Sequence, residues 1–373
     1  MIAEAPTPPV AREPGGLRWL LVTGVLVMGA AVLVVGLFTA FGSQNPDELG
    51  WDFRVAYYPA GQAIVDGRSP YPVDPSDPAL DSLRLYVYPP QLAILVAPLT
   101  ALPIDAAVVV AVVASIFALL GALVLVGVRD IRCYAAVLIW APGWNALEMA
   151  NVSALLALLL ALVWRYRERL WPFAVALGTM VSLKLFLWPL VVWAVVTKRV
   201  RGATLAIAVG VAVTAACWAF IGFAGLSSYS ELLERTASQE SYSIKGMSFA
   251  LGFGSVAAYV ATMGAALALL ALCVVYARRG DEARSFLFAV VAAFAVSPIV
   301  WLHYLALLVV PLGLLRPRFT MLWLLPIVLW PLAKSGNGEG IEPFVPALVV
   351  AFMVVVLCSS PDLSPGRRAS ETS

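Results

Sequence analysis

Residues 50–90 read GWDFRVAYYPAGQAIVDGRSPYPVDPSDPALDSLRLYVYPP, and what flanks them decides the fold. Upstream lies an apolar run, Leu17 to Phe41, longer than a signal-peptide core and without a convincing cleavage site, so it reads as a retained first membrane helix. Downstream the chain turns apolar again and stays so almost to its end. An acidic, aromatic stretch between such segments is a water-facing loop, and Trp51-Asp52-Phe53-Arg54 sets a carboxylate at the lip of the first helix. That carboxylate is either part of an ordinary connection or the start of a chemical site at the bilayer surface.

Composition supports the membrane reading. Hydrophobic residues make up 62% of the 373 positions, charged residues 12%, and mean hydropathy is +0.91, whereas soluble domains carry about 25% charge. At about 20 apolar residues per span, the length predicts an all-α polytopic bundle of about 10–12 membrane helices without a separate soluble domain. The net charge of +2 comes from basic residues scattered through short loops, which gives no footprint for nucleic acid. Cys133, Cys217, Cys273 and Cys358 sit in or beside apolar segments without paired spacing, and there is a single histidine, so no metal site is expected. Residues 1–16 and 360–373 read as disordered cytoplasmic tails.

Lys and Arg concentrate in short cytoplasmic loops. Clusters at Arg12 and Arg18, Arg129 and Arg132, Arg165 to Arg169, Lys198 to Arg201, Arg278 to Arg284, Arg316 and Arg318, and Arg367 and Arg368 hold 17 of the 24 basic residues. With these inside, the loop from Gln44 to Tyr88 faces outward, with seven acidic residues against three Arg. Trp171–Thr197 and Ser285–Leu315 must then each enter the membrane and return. Both have polar interruptions near the middle, at Ser182-Leu183-Lys184 and at Ser297-Pro298 with His303. Legs of about 14 residues reach only about 21 Å, and such short helices are tolerated where protein or a water-filled cavity covers them. The alternative is one tilted helix for each stretch; the hairpin reading is preferred. It brings Lys184, His303, Asn145, Glu148, Asn151 and Lys245 to the face that carries Asp52.

Asp52 fits two roles, a helix N-cap or a general base whose pKa is raised by partial desolvation. Phe53 to Val65 reads as a short amphipathic helix along the interface, and Gln91 to Leu102 as a half-inserted piece too short to span. Tyr57, Tyr58, Tyr71, Tyr86, Tyr88 and Trp51 suit an aromatic belt at headgroup level and equally a carbohydrate surface. Lys184 is the sole ammonium inside an apolar stretch, where insertion costs about 2.5–3.5 kcal/mol; it either snorkels or meets a phosphate. His303 is either a satisfied structural group or a phosphate-binding or proton-relaying one.

Four stretches, in order, resemble glycosyltransferase family 87: DFRVAYYPAGQAIVDGRSPYPV from Asp52, YVYPPQLAILVAPLTALP from Tyr86, the run from Asn151 to Arg199 containing SLKLFLWP, and SPIVWLHYLALLVVPLGLL from Ser297. They cover about three-tenths of the chain. Two elements depart from the family pattern: Pro189 is displaced toward the C-terminus in KLFLWP, and the polar segment before a glycine reads SQESYSIKG. The resemblance implies a GT-C-like integral membrane fold, with residues 17–359 as one glycosyltransferase domain and 43–103 as its extracytoplasmic loop. It also implies a plasma-membrane enzyme moving a sugar, mannose or arabinofuranose, from a polyprenyl-phosphate donor to a glycolipid or lipoglycan acceptor at the outer face. No cofactor or metal is implied. On this reading Asp52 is the catalytic carboxylate, Lys184, His303 and Lys245 hold the donor phosphate, and Tyr57, Tyr58, Tyr86, Tyr88 and Asn151 contact sugar or acceptor. Two rival readings are a lipid or solute transporter, disfavoured by one-sided charges and the lack of an internal repeat, and an inactive structural subunit.

Overall fold

Proline and short polar caps punctuate this chain into helices. Pro59, Pro90, Pro142 and Pro189 each stand in the first turn of a helix, where the missing N–H is one that no carbonyl would have met. Asp130, Ser243 and Asp281 cap three others by accepting from the backbone N–H of Arg132, Gly246 and Arg284. The computed structural model describes residues 49–72, 86–237, 241–335 and 338–359, and every regular element among them is helical. The predicted first helix Leu17–Phe41, the tails 1–16 and 360–373 and the middle of the first loop lie outside the described residues.

A π-helical turn, Phe53–Tyr57, leads into α1 (Tyr58–Val65); then come α2 (Pro90–Val96), extended by a 3-10 turn Ala97–Ala101, and α3 (Ile104–Leu125). Next are α4 (Ile131–Ile139), α5 (Ala141–Glu148), α6 (Ser153–Arg165), α7 (Leu170–Leu183), α8 (Pro189–Val196) and α9 (Val200–Phe220). The chain continues with α10 (Leu226–Ala237), α11 (Ile244–Ala250), α12 (Ser255–Arg278) and α13 (Glu282–Val296). The 3-10 segments Leu302–Leu308 and Met321–Leu329 precede α14 (Val309–Leu315) and α15 (Trp330–Ser335), and α16 (Phe344–Ser359) closes the described chain. Among the described residues, α3, α9 and α12 are long and apolar enough to cross a membrane alone; the remaining apolar helices are shorter. The protein is therefore an all-α polytopic membrane protein built from a few full spans and many short legs.

The short legs fold back as hairpins. Phe173 lies against Gly202, Gly178 against Ala206 and Gly210, and Gln91 donates to both the Ser182 carbonyl (2.5 Å) and Thr214 (3.5 Å). These pairs rise together along α7 and α9, so the two helices run in the same direction and α8 must return between them. Arg199 accordingly reaches back to the Arg167 carbonyl at 3.1 Å, closing the hairpin at its base. The second hairpin closes likewise: Arg284 and Arg316, at opposite ends of α13–α14, donate to the adjacent carbonyls of Leu357 and Val356 on α16. A third reversal joins α5 to α6 with a bend of 119°.

Arg167, Arg199 and Glu282 meet at one end of the bundle, which places the bases of α6, α7, α9 and α13 together. From that end α6, α7 and α13, of 13, 14 and 15 residues, climb about 20–22 Å. They finish at Asn151, Lys184 and Ser297. Three apices thus reach one level by equal leg length, about 10 Å short of crossing a 30 Å hydrocarbon layer. The close α7–α9 approach is testable. A side chain at Gly178 would meet the Ala206 carbonyl oxygen at 2.5 Å, so Gly178→Val is expected to cost about 1–3 kcal/mol and to lower the melting temperature of the detergent-purified protein. An unchanged melt would show that the two helices are not in contact there.

Candidate functional site

The apices carry the polar residues, and the first loop delivers Asp52 onto them. Gly50 makes the delivery possible: its φ of 74° is left-handed, its N–H donates to the Glu148 carbonyl at 2.6 Å, and a Cβ there would strike Val108 at 2.7 Å. Only glycine meets all three conditions without strain. Arg54 fixes the far side by donating to the Leu49 carbonyl (2.8 Å) and pairing with Asp105 at the start of α3 (2.7 Å). The π turn that follows buries Phe53 and Tyr57 on the bundle side. The Asp52 side chain makes no cap bond to its own helix, which disposes of the N-cap role. It accepts instead from the Asn151 amide at 2.5 Å.

Asn151 organises the centre. Its position is set by Ala150, held left-handed at φ 46° by the turn after α5, a costly conformation for a residue with a side chain. Its oxygen accepts from the N–H and hydroxyl of Ser153 (2.9 and 2.7 Å), which orients the amide nitrogen toward Asp52, Tyr57 (2.9 Å) and Tyr88 (3.1 Å). One amide group thus serves three oxygen atoms with two hydrogens, while Asp52 Oδ1 has no hydrogen-bond partner among the described residues. The Tyr88 ring meets Tyr57 edge-on, with centroids 5.0 Å apart.

Lys184 terminates α7, and its ammonium lies 4.1 Å from the Tyr88 ring centre and 4.5 Å from that of Tyr304. It donates to the Tyr304 hydroxyl at 2.5 Å, leaving two of its three N–H donors for another acceptor. Phe186 stacks on Tyr304 at 5.2 Å and holds that ring. Opposite charge links Lys184 to Asp52. His303, 6% exposed, meets the Asn145 side-chain oxygen through Nδ1 at 3.2 Å, while its buried Nε2 has no partner among the described residues. With Asn145 as acceptor, Nδ1 carries the proton and Nε2 is a free lone pair; protonation turns Nε2 into a donor.

Asp52 stands in the loop outside the membrane segments, and burial holds its carboxyl above the ordinary carboxylate range, against the opposing effects of the Asn151 bond and the Lys184 charge. Burial likewise pushes the Tyr57 hydroxyl well above its usual range, so it remains a neutral hydrogen-bonding group.

Of the sequence-derived residues, Asp52, Tyr57, Tyr88, Asn151 and Lys184 come together, with His303 beside them. Tyr58 and Tyr86 turn elsewhere: Tyr58 donates to the Leu102 carbonyl (2.8 Å), and Tyr86 donates to the Pro89 carbonyl (2.7 Å) and accepts from Ala93 N–H (2.8 Å) at the start of α2. Lys245 sits on α11 with its ammonium over Phe249, 5.6 Å from the ring centre. The loop before that helix is tied to the His303 segment by a Tyr242 N–H to Val300 carbonyl bond of 2.8 Å. Sequence reasoning missed Tyr304; adjacency to His303 was its only signal. Among the described residues no three His, Cys, Asp or Glu side chains converge as a metal site.

The Asp52 carboxylate and the Lys184 ammonium thus stand together at the tips of short hairpins, with the His303 imidazole against the Tyr304 ring that Lys184 also meets. The profile of Glycosyltransferase family 87 matches residues 86–302, more than half of the chain. The chain belongs to that family and is a membrane glycosyltransferase. The matched region contains Tyr88, Asn145, Asn151 and Lys184, ends one residue before His303, and begins after Asp52. No curated protein and no solved structure matches the chain.

The Asn151 bond has a pH signature. A carboxyl with a raised folded pKa stabilises the fold below its unfolded pKa, near 3.8, and loses that contribution as pH rises through the folded value. Asn151→Leu removes a donor to the ionised form. Its stability deficit, about 1–3 kcal/mol, is therefore expected to be largest at neutral pH and to shrink on acidification. Equal deficits at neutral and acid pH in thermal melts would mean that the amide does not serve the carboxylate.

Proposed function

We propose that this glycosyltransferase moves a sugar, mannose as the leading choice, from a polyprenyl-phosphate donor to a cell-envelope glycolipid or lipoglycan at the extracytoplasmic face of the plasma membrane. The observation that carries the reading is the meeting of Asp52 with Lys184 and His303 at one level. Asp52 Oδ1 takes the proton of the acceptor hydroxyl. The hydroxyl oxygen then bonds to the anomeric carbon from the face opposite the phosphate, and the carbon–oxygen bond to phosphate breaks with its electron pair leaving on the phosphate. The product is inverted at that carbon, without a covalent enzyme intermediate. The two free donors of Lys184 stabilise the departing phosphate, the kind of electrostatic contribution that dominates many transfers, with His303, packed on Tyr304, as a further phosphate contact. Tyr57, Tyr88 and Asn151 position the sugar and the base. Lys245 on α11 supplies a further cation from the same end of the bundle, and Tyr58 and Tyr86 shape the acceptor side indirectly by holding the loop.

An apolar cavity of about 590 Å³ between α7, α8 and α9, lined by Leu177, Val181, Trp188 and Val211, runs to Ser182 and Leu185 on either side of Lys184. That supports a lipid-linked donor, whose prenyl chain would lie in hydrocarbon while its phosphate meets the ammonium. Among the described residues, the clusters Arg165 to Arg169, Lys198 to Arg201 and Arg278 to Arg284 gather at the opposite end around Glu282, which supports an outward-facing reaction site. Transport fits less well, since its charges belong near the bilayer midplane between repeats.

Purified protein incubated with polyprenyl-phosphate mannose and, separately, polyprenyl-phosphate arabinose is expected to give a mannosylated glycolipid by mass from the first donor. No product with either donor, together with lipid flux in liposomes, would replace transfer by transport. Asp52→Asn should lower the rate about 10²–10⁴-fold with donor binding and melting little changed. In the wild type the rate should rise with pH through the elevated Asp52 pKa, an acid limb that vanishes in the variant. Lys184→Met should lower kcat about 10²–10³-fold; retention of full kcat would remove the ammonium from the leaving-group role.

A further inference from the structure

A second recess lies at the other end of the bundle, one α7 length of 14 residues, about 21 Å, from Lys184. A cavity of about 410 Å³ opens between the start of α7 and the α8–α9 turn, lined by Arg167, Glu168, Lys198, Arg199 and Arg201. Four cations there face one lining carboxylate. Arg167 and Arg199 are committed within the protein: Arg167 pairs with Glu282 at 3.2 Å, and Arg199 with Glu282 at 2.9 Å and with Glu168. Those two guanidiniums and two carboxylates cancel. Lys198 and Arg201 are exposed, and their side chains have no ion-pair or hydrogen-bond partner among the described residues. The first turn of α9, which borders the cavity, has no side-chain cap, adding a partial positive charge to theirs.

Lys198 is also an expensive choice at its position. It follows α8 with a left-handed φ of 67°, where glycine costs least. The backbone alone gives no reason for a lysine there.

We infer that this recess binds the phosphate headgroup of an anionic phospholipid in the leaflet at the basic end. Depth and rim argue for a lipid over a soluble phosphate. The recess lies where the 21-residue span α9 begins, so it opens at headgroup level. Its edge carries Leu170 and Val200, 45% and 53% exposed, apolar groups suited to the acyl chains beneath a phosphate. Basic pockets between helices on this side are recognised binders of acidic headgroups, and nothing in the sugar-transfer reaction uses these residues.

The full-length protein in nanodiscs of phosphatidylcholine, with and without one third phosphatidylglycerol, tests the assignment by retained lipid and melting temperature. Phosphatidylglycerol is expected to be enriched on the protein and to raise its melt. Lys198→Gly should weaken that enrichment about fivefold and the double change with Arg201→Ala roughly thirtyfold. In phosphatidylcholine alone Lys198→Gly should melt at or above the wild type, because the glycine relieves the left-handed residue. Undiminished enrichment in the double variant would overturn the proposal. The same stabilisation from inorganic phosphate in phosphatidylcholine discs would also overturn it, assigning the recess to a free anion.

Discussion

A polar centre at membrane depth can exist only if its members satisfy one another, because hydrocarbon offers them nothing. The contact that meets this constraint is Asn151 with Asp52. Through its side-chain nitrogen Asn151 joins the first loop (Asp52, Tyr57), the segment before α2 (Tyr88) and the α5–α6 reversal. Its oxygen is held by Ser153 at the head of α6. Gly50 and Arg54 tie the loop backbone to α5 and α3, and this joint fixes the carboxylate itself.

Leg length does the rest. A helix too short to cross the bilayer must turn where its residues run out, and α6, α7 and α13 run out at the same height. Charge toward one face costs less than at the bilayer centre, and the first loop packs onto the apices through Asp52 and Tyr57. Lys184 then needs no separate counterion within hydrogen-bonding distance: two aromatic faces, the Tyr304 hydroxyl and the charge of Asp52 share its stabilisation. Among the described residues, Asp52 Oδ1, two N–H groups of Lys184 and His303 Nε2 have no hydrogen-bond partner.

The two ends of the bundle solve opposite problems. At the basic end the cations largely neutralise carboxylates in a network that staples the hairpin bases, with Arg199 at its middle. At the other end the site charges, Asp52 and Lys184, are half-buried and share no direct ion pair. The first pattern gives rigidity; the second keeps interaction capacity for a substrate.

Much of this was readable from residue types in order. Continuous apolar runs fixed an all-helical membrane protein, the spacing of Arg and Lys clusters favoured hairpins over tilted helices for Trp171–Thr197 and Ser285–Leu315, and Asp52, Lys184 and His303 stood out because lipid tolerates none of them cheaply. Sequence alone could not choose partners. Lys184 and Tyr304 are 120 positions apart, and His303 and Asn145 are 158 apart; no periodicity connects such pairs. Nor could it tell Tyr57 and Tyr88, which join the centre, from Tyr58 and Tyr86, whose hydroxyls end on backbone carbonyls of the loop. Hydrophobicity is a property each residue carries by itself, so the sequence determined what must leave water and what could not enter lipid. Which polar groups meet depends on how helices pack and turn, so that was decided only in three dimensions.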